Sequence, residues 1–281
     1  MAKTFTSLVE PEENTVLVLD SLNLAFRWKH QKALFYLDEY IRTVESLKKS
    51  YRASHVIILS DWGKSRYRRE IYPEYKYNRE KAREEQSPED EAYFEKFFEE
   101  YLKIIAYYRA ETEYPVFRFQ GVEADDVAAH IVSNRHKYGF KRIWLISSDR
   151  DWDLLCNEQT SRFSYVTRKE ITFDNYNDHY EWTPEEYISI KCLQGDDGDY
   201  VPGVFKIGPK TAHKLVQQYG TALDIADAIP LPGKYVYIKN LNKFGADALR
   251  RNYQLMDLIS FCDEAIGSEN LKEIERVLTN V

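Results

Sequence analysis

Acidic residues follow several short apolar runs of this chain, and their types and positions suit metal-assisted chemistry. Asp20 closes the run VLVLD, and Asp61 follows VIILS. Three further segments, GVEADD, SSDRDWD and GDDGD, supply more carboxylates: Glu123, Asp125, Asp126, Asp149, Asp151, Asp153, Asp196, Asp197 and Asp199. Sites built only from oxygen ligands suit Mg²⁺ or Mn²⁺, and a pair of such ions assists phosphodiester cleavage. The pattern predicts a two-ion site in a metal-dependent nuclease, with Glu123, Asp125 and Asp149 as first choices for direct ligands.

Each acidic segment also has a purely structural interpretation. Acids stabilise the first turn of a helix, which would account for Glu123 and Asp126. Asp149 and Asp151 could form a turn and a helix cap, and a single Asp after a strand is a common turn residue. Five segments with acids at comparable positions favour the metal site over coincidence. No HExxH motif occurs and no two His lie at ligand spacing, which disfavours a zinc hydrolase.

The elements that would position these acids read as a parallel sheet. Four short β-branched runs predict buried strands at 16–20, 55–60, 115–119 and 142–147. Helical patterns at roughly 33–50 and 124–138 lie between them, and such alternation is typical of βαβ units. The carboxyl ends of parallel strands meet at one edge of the sheet, where ligands bind. The segment 161–173 predicts a hairpin added at one side.

The rest of the chain is predicted to be helical. Residues 62–112 lack strand character and form an insertion above the sheet edge, with a core-facing stripe of apolar residues: Tyr93, Phe94, Phe97, Phe98, Tyr101, Leu102 and Ile105. A capped helix start at Thr183, Pro184 and Glu186 marks a boundary between two domains, 1–182 and 183–281.

Composition bounds the function. The net charge of −7 is unusual for a nucleic-acid binder, but residues 64–83 carry eight Lys or Arg against three Glu, and residues 84–100 carry eight acids against one Lys. Two divalent ions would also raise the total from −7 to −3. The three cysteines have no CxxC spacing, which favours a reducing compartment and no zinc site. No secretory or membrane-spanning run is present, so a cytoplasmic protein is expected.

A glycine loop, GVFKIGPKTAHKLVQQYG at 203–220, is the second informative feature. Backbone N–H groups at the glycines and at a helix beginning at Pro209 would face a phosphate, with Lys206, Lys210 and Lys214 adding charge. Such contacts hold a DNA backbone without reading its sequence. A glycine turn between two packed helices is the structural alternative. A nucleotide-binding P-loop is disfavoured, because Pro209 interrupts the Gly-Lys pair and no strand is predicted before the loop.

The segment IYPEYKYNREKAR, residues 71–83, mixes tyrosines with cations. Its residues of interest are Tyr72, Tyr75, Tyr77, Lys76, Arg79, Lys81 and Arg83. Interleaved aromatics and cations suit base stacking and phosphate contact along a single strand. An ordinary solvated helix surface has the same composition.

Six ordered motifs resemble the flap endonuclease / 5′–3′ exonuclease family, especially its free-standing bacteriophage members, and the N-terminal nuclease domain of bacterial DNA polymerase I. They are LDSLNLAFR, PEYKYNR, GVEADD, SSDRDWD, GDDGDYVPG and GVFKIGPKTA, and the likeness covers nearly the whole chain. The resemblance implies an α/β, PIN-like core with a mostly parallel central sheet flanked by helices. It also implies a helical arch at about 62–112 and a C-terminal helical region with a helix–three-turn–helix at about 196–220.

The resemblance also implies roles for individual residues. The metal ligands would be Asp20, Asp61, Glu123, Asp125, Asp149, Asp151, Asp196 and Asp199, with Asp126 among or just outside them. Lys76 would contact the reacting phosphate, with Tyr75 beside it and Arg27 as a basic residue near the site. DNA would be bound by Arg79, Lys81, Arg83, Lys206, Gly208, Lys210, Thr211, Lys214 and Lys234, and loop carbonyls would hold one K⁺. Members of that family usually have Asn after the last acid of the GD-x-x-D motif, where this chain has Tyr200, and this departure puts the support of Asp199 in question.

The expected function is hydrolysis of DNA phosphodiesters at 5′ flaps and 5′ ends with two Mg²⁺ or Mn²⁺ ions, in DNA replication. The partner would be DNA with a 5′ single-strand/duplex junction, and the protein a monomer in the cytoplasm, that of the host if the chain is viral. Two alternatives stay open. One is a non-catalytic protein of the same fold that binds DNA junctions. The other is a phosphatase of the haloacid dehalogenase type with Asp20 as nucleophile, although Leu22 stands where that mechanism needs a second Asp.

Overall fold

A six-stranded sheet forms the centre of the N-terminal half of the chain. The computed structural model describes residues 10–280. The strand order is β3-β2-β1-β4-β5-β6; neighbours among the first five pair in parallel, and β6 pairs antiparallel at one edge. The strands are β1 (Glu12–Asp20), β2 (Ala53–Leu59), β3 (Val116–Phe117), β4 (Arg142–Ile146), β5 (Thr160–Ser164) and β6 (Lys169–Ile171). The predicted parallel sheet and edge hairpin are confirmed, although β3 is limited to two residues.

The central strands are buried on both faces. Val16 to Leu19 of β1 and Val56 to Leu59 of β2 have no exposed surface, as continuous β-branched and Leu runs require when helices cover both sides of a sheet. One core packs Val16 and Val18 against α6 (Ala124–Ser133), α13 (Leu258–Ile266) and α14 (Ser268–Leu278). The other packs Leu17 and Leu19 against α1 (Ser21–His30), α2 (Leu37–Ser50) and α5 (Pro88–Glu111).

Two predicted helix boundaries are wrong. The pattern at 33–50 includes a loop, and α2 begins at Leu37. The pattern at 124–138 overruns α6, which ends at Ser133 before a series of turns that reaches Gly139. The sequence also did not predict α1, whose first turn is held by the Asp20 side chain accepting from the Asn23 amide at 3.1 Å. That cap fixes Asp20 at the junction between strand and helix.

The arch segment, residues 62–112, contains no strand, as expected. It consists of α3 (Arg66–Ile71), α4 (Tyr77–Glu84) and α5. Ser87 caps α5 and Pro88 occupies its first turn, a combination typical of a helix start. Phe97, Tyr101 and Ile105 enter the core. The stripe prediction is wrong for Leu102, which is 45% exposed on the opposite face.

The C-terminal part is almost entirely helical. Two short helices belong to the region before it, a 3-10 helix (Arg150–Leu155) between β4 and β5, and α7 (Tyr176–His179) after β6. The C-terminal elements not yet named are α8 (Pro184–Gln194), β7 (Gly195–Asp196), β8 (Val201–Pro202), α9 (Pro209–Tyr219), α10 (Ala222–Ala228), α11 (Val236–Phe244) and α12 (Ala246–Met256). The capping box of Thr183 and Glu186 at the start of α8 is confirmed. The boundary between 1–182 and 183–281 stays a prediction.

The expected helix–three-turn–helix range of 196–220 needs correction at its start. It contains only one helix, α9, and the helix that precedes the loop is α8, which ends at Gln194. The glycine motif marked the loop, and the range omitted the first helix. No helix among residues 10–280 has the length and apolar character needed to cross a membrane. The expectation about a secretory segment falls mainly on residues 1–9, outside the described part of the chain.

Candidate metal centre and DNA-binding surface

Three neighbouring strands deliver acids to one edge of the sheet. Asp20 ends β1, Asp61 lies two residues after β2, and Asp149 lies three residues after β4. Because β2, β1 and β4 are adjacent and parallel, their carboxyl ends meet at the same edge. The electrostatic coupling of Asp20 to both Asp61 and Asp149 is consistent with this proximity.

The remaining acids come from helix starts and from the β7–β8 turn. Glu123 is the residue before α6, and its charge acts on both Asp61 and Asp125. One small cavity, of about 20 Å³, is lined by carboxylates from three segments: Asp125, Asp151, Asp196 and Asp199. The structure therefore brings together the eight acids that the resemblance singled out. Their role as ligands stays a prediction.

Four of these carboxylates make no ion pair with any residue in the 10–280 range: Asp20, Asp61, Asp125 and Asp149. Each accepts instead from a neutral donor. Ser147 Oγ donates to Asp20 at 2.8 Å, the Ala124 amide to Asp61 at 2.6 Å, Trp152 Nε1 to Asp125 at 2.6 Å, and the Asp151 amide to Asp149 at 2.9 Å.

Burial and mutual repulsion act on this group. Burial raises the pKa of Asp20 to about 8, and the Asp61 carboxylate adds to the shift. Burial also raises the pKa of Asp125 well above its usual value, with Asp149 as the second cause. Several desolvated carboxylates without a counter-charge are costly. An oxygen-only donor set with uncompensated charge fits hard divalent cations.

Glu123 differs because cations hold it. Lys76 Nζ lies 2.6 Å from Glu123 Oε1, and Arg68 lies 3.1 Å from Oε2. Burial alone would raise the pKa of Glu123, but the Lys76 and Arg68 charges outweigh it and lower the pKa to about 2. Lys76 adopts a left-handed backbone with φ of 59°, and its amide donates to the Asp199 carbonyl at 2.8 Å. The arch lysine is thus anchored to the acidic site.

Tyr75 is part of the site and not of an exposed surface. Its residue is 3% exposed, and its hydroxyl lies 2.7 Å from Asp199 Oδ2 and 3.2 Å from Glu123 Oε2. The interpretation of Tyr75 as a base-stacking residue is therefore wrong, because no base can reach the ring. Its predicted place beside Lys76 agrees with the structure.

Asp126 is bound by Arg68, a residue that the sequence analysis missed. The guanidinium donates to both carboxylate oxygens at 2.9 and 2.8 Å, and its Nε donates to the Leu255 carbonyl at 3.2 Å. Both Asp126 oxygens are used, and the residue is 1% exposed. This pairing favours a position just outside the metal ligands for Asp126, and its role stays a prediction. The sequence analysis included Arg68 only as one of the eight Lys or Arg residues in the basic segment 64–83. No local sequence pattern predicts that its side chain is buried.

Lys191 was missed as well. Its ammonium lies 2.5 Å from Asp151 Oδ1 and 3.0 Å from Asp196 Oδ2, so it bridges two of the acidic segments. The sequence offered one indication of this role: Lys191 lies only five residues before Asp196, at the end of α8. Two acids of the opening pattern lie outside the site. Asp153 is fully buried in an ion pair with Arg162, and Asp197 is exposed.

Arg27 does not contact the acids in this structure. Its guanidinium donates to the Tyr165 hydroxyl at 2.6 Å and stacks on the rings of Tyr165 and Trp28 at 4.6 and 5.1 Å. It lies on α1, which begins directly after Asp20. Its role near the site stays a prediction.

The question raised by Tyr200 has a structural answer. Tyr200 is 43% exposed, with its ring centroid 5.9 Å from that of Tyr77. The Asp199 carboxylate is held by the Tyr75 hydroxyl and by Arg79, whose Nη2 lies 2.7 Å from Oδ1. Support for Asp199 therefore comes from the arch segment.

The other arch cations lie near this edge and are mostly exposed. Lys81 is 3.8 Å from Glu85, and the Arg83 guanidinium stacks on Phe94 at 5.1 Å. Arg79, whose side chain is 59% exposed, extends from the acids to solvent. These positions agree with an exposed basic surface, and DNA binding by them stays a prediction.

The two glycines of the loop at 203–208 have different functions. A Cβ on Gly203 would lie 1.8 Å from the Gln194 carbonyl oxygen, so this glycine allows the close approach of the loop to the end of α8. A Cβ on Gly208 would meet nothing within 4 Å. Gly208 caps α9 and faces open space, with exposed lysines around the loop and the helix: Lys206, Lys210 and Lys214.

The remaining predicted DNA contacts also lie at this end of the molecule. Thr211 is in the first turn of α9 and partly exposed, and Lys234 is exposed just before α11. Asn240 of α11 donates to the Phe205 carbonyl at 2.7 Å, which ties this helix to the loop. The statement that no strand precedes the loop is wrong, since β8 ends at Pro202. Pro209 still interrupts the P-loop pattern.

A separate polar cluster joins α6 and α13. His130 Nδ1 lies 2.7 Å from Asp263 Oδ1, with Cys262 Sγ 3.6 Å from the same oxygen. The sequence did not predict this cluster of His130, Cys262 and Asp263, because His130 is far from the other two residues along the chain. The other ring nitrogen, His130 Nε2, lies 2.8 Å from the Tyr138 hydroxyl. The cluster is accounted for as a hydrogen-bonded link between two helices.

Comparison with known proteins decides the family. The model of the 5′–3′ exonuclease N-terminal resolvase-like domain matches residues 15–181, and that of the 5′–3′ exonuclease C-terminal SAM fold matches residues 182–276. The chain belongs to the 5′–3′ exonuclease family. Within this family, the flap endonuclease of Escherichia phage T5 is 42% identical over 277 residues, which are 95% of this chain and 94% of that protein. The DNA polymerase I of Bacillus caldotenax is 28% identical over 229 residues, 76% of this chain but only 24% of the polymerase.

Solved structures of the family show the same fold. The phage T5 flap endonuclease in a complex with DNA and metal ions is 38% identical, with a TM-score of 0.88, and the match covers 95% of this chain and 98% of that one. The phage T5 5′-exonuclease with bound zinc gives a TM-score of 0.89 at 38% identity, covering 95% and 99%. The PIN-like core followed by a helical C-terminal region is thus the family fold.

Proposed function

We propose that this member of the 5′–3′ exonuclease family hydrolyses DNA phosphodiesters at 5′ flaps and 5′ ends. The observation that carries the proposal is the convergence of eight carboxylates at one sheet edge, four of them without an ion pair, beside an anchored lysine. That arrangement suits phosphodiester hydrolysis assisted by divalent cations. The relative from phage T5, named a flap endonuclease, matches over almost the whole chain.

The cations that fit are two Mg²⁺ or Mn²⁺ ions. Asp20, Asp61, Asp125 and Asp149 would hold them first because they have no other counter-charge, and Glu123, Asp151, Asp196 and Asp199 would complete the set. When bound, such ions activate water and stabilise the leaving oxygen. The Lys76 and Arg68 charges lower the pKa of Glu123 to about 2, which favours the anionic form that a metal ligand needs.

The protein groups around the acids have distinct roles in the proposal. The Lys76 ammonium, whose side chain is 20% exposed, neutralises charge on the phosphoryl oxygens as the transition state forms. Tyr75 and Arg79 orient Asp199 through hydrogen bonds at 2.7 Å each. Arg68 and Lys191 hold the surrounding carboxylates in place, which limits their movement when substrate arrives.

The duplex part of the substrate would lie on the loop between α8 and α9. Gly208 and the start of α9 offer backbone N–H groups, and Lys206, Lys210 and Lys214 offer charge to a phosphate backbone. Arg79, Lys81 and Arg83 would follow the 5′ strand at the arch segment. One K⁺ at the loop, a monomeric state, a role in replication and a cytoplasmic location belong to the same proposal.

Both alternatives predict different biochemistry. A non-catalytic junction binder would not need the uncompensated acids, which are costly to bury. A haloacid dehalogenase-type phosphatase would need an acid where Leu22 lies. Cleavage of an end-labelled 5′-flap duplex in Mg²⁺, with EDTA and a small phosphomonoester as controls, tests all three. Short 5′ products that require Mg²⁺ support the nuclease; binding without cleavage supports the junction binder; phosphomonoester turnover alone supports the phosphatase.

A further inference from the structure

An exposed tryptophan directly follows one of the acids of the metal centre. Trp62 comes after Asp61 and is 44% exposed, whereas Trp28 and Trp152 are almost completely buried in the core. Trp62 lines an open cleft of about 470 Å³ at the start of the arch segment. We call this cleft the Trp62 cleft. Clefts of this size accommodate groups as large as a nucleotide.

The backbone holds Trp62 in a fixed position relative to the acids. The Gly121 amide donates to the Trp62 carbonyl at 2.8 Å, and the Arg66 amide donates to the Gly121 carbonyl at 2.9 Å. Gly121 has a φ of 77°, and a Cβ there would lie 3.3 Å from Arg66 Cβ. Gly121 lies two residues before Glu123. These two backbone hydrogen bonds therefore fix the position of Trp62 relative to Glu123 and the other acids.

The indole already stacks on a cation. The guanidinium of Arg118 lies 4.7 Å from the centre of the Trp62 ring. Arg118 makes no ion pair with a described residue, and its Nε is buried without a hydrogen-bond partner. The attraction between the guanidinium and the ring favours one position of the indole. A ring that already prefers one position loses less conformational entropy when a second planar group stacks on it.

The cleft is positively charged. Its lining contains three cations, Lys64, Arg66 and Arg69, against one acid, Glu70. Lys64 and Arg69 are paired with Glu80 of α4. Arg66 is exposed, and its side chain has no partner among residues 10–280. An aromatic platform beside an unpaired guanidinium is suited to a base and its phosphate.

We propose that the Trp62 cleft binds one unpaired nucleotide of the DNA substrate next to the cleaved phosphodiester, with its base stacked on Trp62 and its phosphate on Arg66. The proposal rests on the nuclease function proposed above and adds a subsite to it. Stacking accepts any base, so the subsite would favour unpaired DNA without reading sequence. A protein partner is disfavoured because the cleft adjoins the site that acts on a phosphodiester.

The first experiment measures cleavage of a 5′-flap duplex under single-turnover conditions over a range of enzyme concentrations. Trp62→Ala is expected to raise the half-saturating enzyme concentration about tenfold, within the range that loss of one base–aromatic stack produces, and to leave the maximal rate nearly unchanged. Trp62→Phe retains most of the affinity. Arg66→Ala weakens binding similarly, whereas the matched surface variants Phe173→Ala and Arg276→Ala leave it unchanged.

The second experiment locates the nucleotide. A single abasic residue is moved through the unpaired arm and the first paired positions. At one unpaired position, the abasic residue should weaken binding by the wild-type protein as much as Trp62→Ala weakens binding of the intact substrate. When the abasic substrate is combined with Trp62→Ala, the two losses of binding free energy should not add. The same substrate should lose the quenching of Trp62 fluorescence that intact flap DNA produces, measured as wild type minus Trp62→Phe.

The outcomes separate the two proposals. If the wild-type protein does not cleave at all, the nuclease function fails. Three results would overturn the subsite proposal while the nuclease function stands, provided that the wild-type protein cleaves. Trp62→Ala could bind the flap substrate normally, or the losses caused by Trp62→Ala and by the abasic residue could simply add. The abasic position that weakens binding could also prove to be a paired one.

Discussion

The ammonium of Lys76 lies 2.6 Å from Glu123 Oε1 and 3.8 Å from Asp199 Oδ1. One residue of the arch segment is therefore bonded to acids contributed by two other parts of the chain. The Lys76–Glu123 pair therefore links the position of the arch segment to the charge of the acidic site, and the Lys76 charge helps to lower the pKa of Glu123.

Replacement of Lys76 should affect turnover far more than binding. We expect Lys76→Ala to lower the single-turnover cleavage rate about 10²- to 10³-fold, as loss of a transition-state charge contact does, with little change in affinity. Lys76→Arg keeps the charge and should recover part of the rate. Weaker binding with an intact cleavage rate would rule out this role.

Loss of Arg68 should destabilise the fold. Arg68→Met leaves the buried Asp126 without a counter-charge, while Glu123 keeps only Lys76. Loss of one partner of a buried pair costs about 3–5 kcal/mol of unfolding free energy. Arg52→Met is the matched control, because the Arg52–Glu12 pair is exposed at 46% on each side and should cost about 1 kcal/mol or less. Urea unfolding measures both. Equal losses in the two variants would contradict the structural role of Arg68.

Divalent cations should stabilise the protein through the unpaired acids. Mn²⁺ is expected to raise the melting temperature, since it binds the folded state. Asp125→Asn removes one repelling charge, so it should raise the melting temperature in EDTA and reduce the shift caused by Mn²⁺. The exposed Asp174→Asn is the control. A full Mn²⁺ shift in Asp125→Asn would show that the ions bind elsewhere.

The two loop glycines allow a paired test. Gly203→Ala should destabilise strongly, because its Cβ would overlap the Gln194 carbonyl at 1.8 Å. Gly208→Ala should fold normally, since its φ is −94° and its Cβ meets open space, but it should weaken duplex binding where a phosphate approaches the backbone. Thermal unfolding and a duplex-binding titration distinguish the effects. Normal duplex binding by Gly208→Ala would place the DNA away from the loop.

Lys210 should contribute to duplex binding independently of sequence. We expect Lys210→Ala to weaken binding of all duplexes alike and to lower the slope of log K against log salt by about 1. The exposed Lys272→Ala, on α14, should change neither quantity. A loss confined to some sequences would indicate a base contact instead.

Much of the framework could be predicted from residue order. Runs such as VLVLD and VIILS encode buried parallel strands, and an acid after each run must lie at the same sheet edge once the strands pair. Other local patterns located the edge hairpin at 161–173 and the helix cap at Thr183. Boundaries were less accurate, as at Leu37 and Ser133, because turns such as 134–139 preserve the apolar pattern beyond the helix.

By itself, the sequence determined the chemistry of this protein: carboxylates at strand ends, a basic arch segment and a glycine loop. Only the tertiary structure decided which acids have counter-charges. Arg68 is 58 residues from Asp126, and Lys191 is 40 residues from Asp151. The stability of an ion pair depends on distance and desolvation in three dimensions, which no local pattern of residues encodes. For that reason the burial of Tyr75, the pairing of Asp126 with Arg68 and of Asp153 with Arg162, and the cleft beside Trp62 emerged only from the folded chain.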